Sequence, residues 1–109
     1  MKRAIFLGDS RRRLREFPQL SRRELGHQLE QVQRGRNPDN WKPMKSIGPG
    51  VREIRVRDEF GAFRMIYIAT FADAVYVLHA FQKKRQVTSS TDLTLSELRF
   101  RALKRSQKQ

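Results

Sequence analysis

The chain contains no cysteine, which excludes a disulfide framework and any thiolate metal site and fits a reducing cytoplasm. Acidic residues are scarce: 11 Asp and Glu stand against 24 Lys and Arg, a formal net charge of +13. The few carboxylates are dispersed, so no paired-acid catalytic site is expected. The two histidines, His27 and His79, lie far apart and form no metal-ligand spacing, so neither a metal nor another cofactor is expected. No Ser/His/Asp arrangement and no glycine-rich phosphate loop is visible; IGPGVRE is only a turn before a strand. No apolar run is long enough to span a bilayer, and no basic helix carries large aromatics along one face, so a membrane partner is not expected. The N-terminal MKRAIFLGDSRRR mimics the basic start of a secretion signal. Its apolar segment, Ala4 to Leu7, is far too short for one, and reads as mature protein in strand form.

What is present is charge and one modest set of apolar residues. A length of 109 residues with 38% hydrophobic content suits a single domain, residues 1–109, with one core rather than two. The basic residues spread over the whole chain, which points to a polyanionic partner: nucleic acid, or a protein with an acidic surface.

Arg3 to Gly8 reads as a strand. Asp9 or Ser10 can cap a helix from Arg11 to Phe17, ended by Pro18. Ser21 and Glu24 have capping-box spacing for a second helix, whose Leu25, Leu29 and Val32 form one apolar stripe and which Gly35 stops. RNPDN reads as loop. Val51 to Asp58 alternates, with Ile54 and Val56 on one face and Glu53, Arg55 and Arg57 on the other. After a DEFGA turn, Phe63 to Phe71 and Ala74 to Phe81 are apolar on both faces and read as central strands of an antiparallel meander. Thr94 and Glu97 suggest a capping box for a last helix with Leu95, Leu98 and Ala102 on one side, and Arg105 to Gln109 reads as a frayed tail. The order β-α-α-β-β-β-α is an α+β fold.

The stretch HAFQKKRQ carries the most chemistry. An apolar strand there ends in Lys83, Lys84 and Arg85, and the preceding strands carry Arg55, Arg57 and Arg64. If the strands are neighbours, these cations form an anion site; otherwise they are solvated charges that protect a sheet edge from aggregation. Like charges close together also lower a lysine's pKa. Arg64, inside the apolar AFRMIY, must be paired or must reach a surface, and Glu53 is its candidate ion-pair partner. His79 reads as a satisfied core histidine and His27 as solvated. Trp41 either plugs the core or stacks on a base.

The segments NWKPMKSIGPGVREIRV, FRMIYIA and AVYVLHAFQKKRQVT, in that order and spacing, resemble the RelE/HigB superfamily of bacterial type II toxins, and in particular its phage-type HigB-like branch. The carrying pieces are Trp41 to Met44, Val51 to Val56, Phe63 to Tyr67 and Leu78 to Lys84. The chain departs from the pattern at Arg85, where the family often has threonine, and at Ser89, where proline is common. The resemblance implies a small RelE-like fold, with an N-terminal strand and two helices packed on an antiparallel sheet. It implies a cytoplasmic endoribonuclease that cuts mRNA on the translating ribosome, and a helix-turn-helix antitoxin as partner. On that basis Arg64 is expected as the phosphate clamp, Lys84 as the strand-end catalytic cation with Lys83 beside it, and Arg55 as a further catalytic cation. Arg57, Arg85 and Arg52 are expected to grip mRNA and ribosomal RNA (16S rRNA). The general base stays open between Glu53, Lys83 and His79. The substitutions Arg64→Ala and Lys84→Ala are expected to leave folding near normal. Two alternatives remain: a ParE-like toxin that blocks DNA gyrase without RNA chemistry, and a non-catalytic module that binds RNA or the ribosome.

Overall fold

The computed structural model describes residues 1–108. Along the chain run β1 (Arg3–Phe6), α1 (Ser10–Arg15), α2 (Gln19–Gln33), β2 (Trp41–Pro43), β3 (Val51–Asp58), β4 (Gly61–Ile68), β5 (Ala74–Lys83) and α3 (Ser90–Gln107). The five strands form one sheet in the order β1-β5-β4-β3-β2. Strands β2 to β5 pair antiparallel, whereas β1 lies parallel to β5. The α+β, RelE-like arrangement is therefore as expected, but the sheet is mixed rather than wholly antiparallel. It also has a strand the sequence does not announce. β2 is three residues long and ends in proline, too short for an alternation to be read; it exists because it pairs with Arg52, Glu53 and Ile54 of β3.

Both faces of the sheet are covered. On one, Leu25, Leu29 and Val32 of α2 pack with Ile54, Phe63, Met65 and Val77, and Leu14 of α1 joins them. On the other, Phe100 and Leu103 of α3 pack with Val51, Ile66, Ile68 and Leu78, together with Met44 and Ile47 of the loop after β2. The single core expected from composition is thus two clusters. The central strands β4 and β5 serve both, because successive side chains point to opposite faces and nearly all are apolar. Each fully buried side chain of this size contributes about 1.5–3 kcal/mol relative to exposure.

Helix starts differ from the capping-box expectations. α2 begins before Ser21, whose hydroxyl donates to the Pro18 carbonyl at 3.0 Å. α3 begins at Ser90, where the Ser89 hydroxyl oxygen accepts from the Asp92 amide. The helix turns Leu93, Ser96, Phe100 and Leu103 toward the sheet and leaves Leu98 and Ala102 exposed. Arg105 to Gln107 are helical rather than frayed; Gln109 lies outside the described residues. Asp9 occupies the N-cap position of α1 without capping it, because its carboxylate accepts from Arg12, Arg13 and Arg99 instead. Gly35 ends α2 as expected: with φ +82° it lets its own amide and that of Arg36 bond back to Val32 and Gln31.

One irregularity matters for the site. In the pairing of β4 with β5, Ile66 opposes His79 and Tyr67 opposes Val77, so Leu78 is skipped. This bulge turns both Leu78 and His79 toward α3.

The loop after β2 meets α3 so closely at Gly48 that a Cβ there would overlap the Phe100 ring. Gly48→Ala is expected to cost roughly 1–3 kcal/mol by overpacking. Urea denaturation checks this; an unchanged midpoint would mean that α3 does not seat on this loop.

Candidate active site

α3 covers its face of the sheet only as far as Phe81. Beyond it, the same face continues with Arg64 on β4, Arg55 and Arg57 on β3, and Lys83 at the end of β5. Register brings them together. Arg55 is paired with Arg64, Arg64 with Phe81, and Ala62 with both Arg57 and Lys83. These four cations, with Lys84 and Arg85 from the chain leaving β5, line a cleft of about 810 Å³. The expected meeting of strand-end lysines with arginines of the neighbouring strands is thus present.

Arg52 is not part of it. It stands at the opposite end of β3, paired with Tyr67. Its guanidinium lies 4.1 Å from the Trp41 ring centroid and donates to Asn37 Oδ1 at 3.1 Å. Trp41 is accordingly half-buried under Arg52, neither a core plug nor a free stacking face.

Beneath the cleft's arginines lies a buried carboxylate. Glu53 is 1% exposed, with Oε1 3.5 Å from Arg64 Nε and 3.7 Å from Arg55 Nε. Both are charge contacts rather than good hydrogen bonds, and neither Glu53 oxygen accepts one. Arg64 is itself 6% exposed. Burial and the neighbouring Arg55 and Arg57 push its pKa down, while Glu53 pulls it up; a guanidinium so far from neutrality stays charged. The ion pair with Glu53, which competed with an anion-binding role in the sequence, is therefore present. It is compatible with that role, because Arg64 lines the cleft while it leans on Glu53.

The two lysines differ. Lys83 is half-buried and its pKa is lowered, first by burial and then by the charge of Arg64, with Lys42 and Arg55 adding to it. Lys84 is exposed and also borders the next depression, beside Arg13, Glu16 and Asp92. Lys42 is a member of the cluster that sequence reading missed. It projects from β2 as the pairing partner of Glu53, and the signal for it was hidden in the unrecognised strand.

A family model for phage-derived Gp49-like proteins (DUF891) matches residues 12–101. The chain belongs to this family. It is a RelE/ParE-like, toxin-related family, and the matched span runs from α1 into α3 and includes every residue of the cleft. No individual curated protein matches the chain. Among the described residues no cluster of His, Cys, Asp or Glu could hold a metal ion, and no helix is long and apolar enough to cross a membrane.

His79 belongs to a different network. It is fully buried, with Nε2 2.6 Å from Asp92 Oδ1 and Nδ1 3.2 Å from Arg99 Nη1. Arginine can only donate, so Nδ1 accepts and the proton sits on Nε2, which donates to Asp92. Arg99 also reaches Asp9 at 2.7 Å, and Asp9 is held far below the usual carboxylate range by Arg13 first and Arg99 as well. With both ring nitrogens engaged, His79 joins β5 to α3 instead of facing the cleft.

Two outcomes follow from this geometry. Arg64→Ala alone is expected to cost about 3–5 kcal/mol, because it strips a buried carboxylate of its nearest partner. This revises the expectation of near-normal folding for that variant. The double variant Glu53→Gln/Arg64→Gln should recover part of the loss, and a double-mutant cycle by chemical denaturation measures the coupling; additive losses would show that the pair does not interact. Burial lowers the pKa of His79 below its ordinary 6.5. As pH falls through 6.5 the unfolded chain takes up a proton that the folded chain refuses, so stability declines toward acid. NMR titration of the His79 ring should give a midpoint below 6.5, and a midpoint above it would reverse the sign.

Proposed function

We propose that the chain is the toxin of a toxin–antitoxin pair, of the HigB-like branch, and acts in the cytoplasm as an endoribonuclease that cuts mRNA on the translating ribosome. The observation that carries this reading is the half-buried lysine, Lys83, set beside two guanidiniums that rest on a buried carboxylate. RNA contains its own nucleophile. Once the 2′-hydroxyl loses its proton, its oxygen attacks the adjacent phosphorus. The P–O2′ bond forms, the P–O5′ bond breaks, and a 2′,3′-cyclic phosphate and a 5′-hydroxyl result. The reaction needs a proton acceptor, stabilisation of charge on the crowded phosphate, and a proton for the leaving oxygen; it does not require a metal. Arg64 and Arg55 supply the charge, pre-oriented by Glu53. Lys83, with its lowered pKa, suits proton transfer better than an arginine does, and its place in the cluster favours it over the exposed Lys84 for that role. Lys84, Arg57 and Arg85 hold the neighbouring phosphates.

The partner in this reading is a helix-turn-helix antitoxin that covers the cleft with an acidic or neutral segment. Six cations around one cleft favour RNA chemistry over gyrase binding, which would not need them.

The test is induced expression in bacteria with mRNA 5′ ends mapped within minutes, comparing the wild type with Lys83→Met/Lys84→Ala and with Glu53→Gln/Arg64→Gln. New ends inside translated codons are expected from the wild type, and a loss of at least a hundredfold from the variants, taking the contributions of proton transfer and charge stabilisation as about 10²–10³ each. Toxicity without new ends would move the reading to gyrase or another binding target. No toxicity would leave a non-catalytic binding module.

A further inference from the structure

The cleft has one aromatic ring among its lining residues, Phe60, at the tip of the β3–β4 hairpin. Phe60 is 59% exposed. A single exposed apolar side chain is ordinary on a protein surface and by itself calls for no explanation. Phe60 differs in how it is held. Its amide donates to Asp58 Oδ1 at 2.7 Å, closing the turn, and its carbonyl accepts from Gln82 Nε2 at 3.0 Å, tying the tip to β5. The next residue, Gly61, has φ +135°, and a Cβ there would stand 2.9 Å from that same Gln82 nitrogen. The left-handed φ of Gly61 requires glycine, and the Gln82 contact ties the hairpin end to β5. Phe60 stands at the lip of a cleft otherwise lined by cations and small or amide side chains. Cations alone bind a phosphate backbone without regard to whether bases are attached. An exposed ring on a fixed stretch of backbone beside them adds a flat apolar surface that phosphate cannot use and a base can.

We propose that Phe60 is a stacking platform for an unpaired nucleobase of single-stranded RNA whose backbone lies along the Arg57–Lys84 cations. This rests on the reading of the cleft as an RNA site and adds a substrate requirement to it: one base next to the gripped phosphates must be free to splay out. The base stacks on Phe60 whatever its identity, since every base has a π-face; the site selects single strand over duplex at that position.

The experiment is equilibrium binding of a short oligoribonucleotide to the full chain across a range of salt, with the same oligonucleotide carrying abasic positions as control. Phe60→Ala should weaken binding roughly five- to hundredfold, the range for loss of one stacked base, with the slope against salt unchanged because no phosphate contact is removed. Phe60→Leu should bind as poorly as Phe60→Ala, while Phe60→Trp should retain affinity. In a Trp41→Phe background the new indole should be quenched by RNA. Abasic RNA should bind wild type and Phe60→Ala alike. Equal affinity of wild type and Phe60→Ala for normal RNA overturns the proposal. Unchanged RNA binding with lost toxicity also overturns it, and assigns the ring to a protein partner. The underlying reading fails separately: Arg57→Ala and Arg85→Ala would then leave the salt slope unaltered while Phe60 substitutions still act. Absence of any oligonucleotide binding by the wild type overturns the stacking proposal and leaves the ribosome-dependent reading to the 5′-end mapping.

Discussion

A buried glutamate under two guanidiniums is the constraint on which the site depends. Two unit charges about 4 Å apart near a protein surface interact by about 4 kcal/mol, so arginines and lysines crowded at one end of a sheet repel strongly. Glu53 lies where that repulsion would be worst, on the strand between Lys42 and the cations of β4 and β5. It offsets part of the cost and fixes where Arg64 and Arg55 point, while the net charge of the surface above it remains positive. The arrangement is a positive field of fixed geometry, which is what charge stabilisation of a reacting phosphate demands.

That field is exposed because α3 begins only beside His79 and runs away from the cleft. Its first turn is held by Ser89 and by Asp92, which also accepts from His79. The Asp9–Arg99–His79 contacts tie the start of α1, β5 and α3 into one unit. The bulge at Leu78 makes this possible by turning His79 toward the helix. A helix begun one turn earlier along the sheet would cover the cations, and an unbulged β5 would send His79 into the opposite apolar cluster. A network remote from the proposed chemistry thus sets the edge of the cleft, and its neutral histidine is the part most sensitive to acid.

Much of this was legible in the residue pattern. β3 was read with its observed bounds, Leu25, Leu29 and Val32 do form the buried stripe of α2, and the doubly apolar β4 and β5 are central. The cations of HAFQKKRQ and of the preceding strands do meet, since antiparallel pairing across a short turn leaves little choice of register. Reading failed where two local patterns competed or a pattern was too short. The Thr94–Glu97 spacing lost to Ser89, whose hydroxyl oxygen accepts from the Asp92 amide, and Phe100 and Leu103 rather than Leu98 and Ala102 face the sheet. β2 had three residues and a proline, so Lys42 went unnoticed. Arg52, adjacent to Glu53 in sequence, points to the other face and joins Trp41.

By itself, the sequence determined the strong positive charge of the chain, the α+β class and the strands that would bring cations together, because composition and period-two alternation are local properties. Only the tertiary structure decided that Glu53 is buried beneath Arg64, that Lys83 rather than Lys84 is the desolvated lysine, and that Phe60 is held out at the lip. Each of these depends on where α3 begins and how β2, β3 and β5 align. Burial and register are set by elements distant in the chain, and no window of neighbouring residues encodes them.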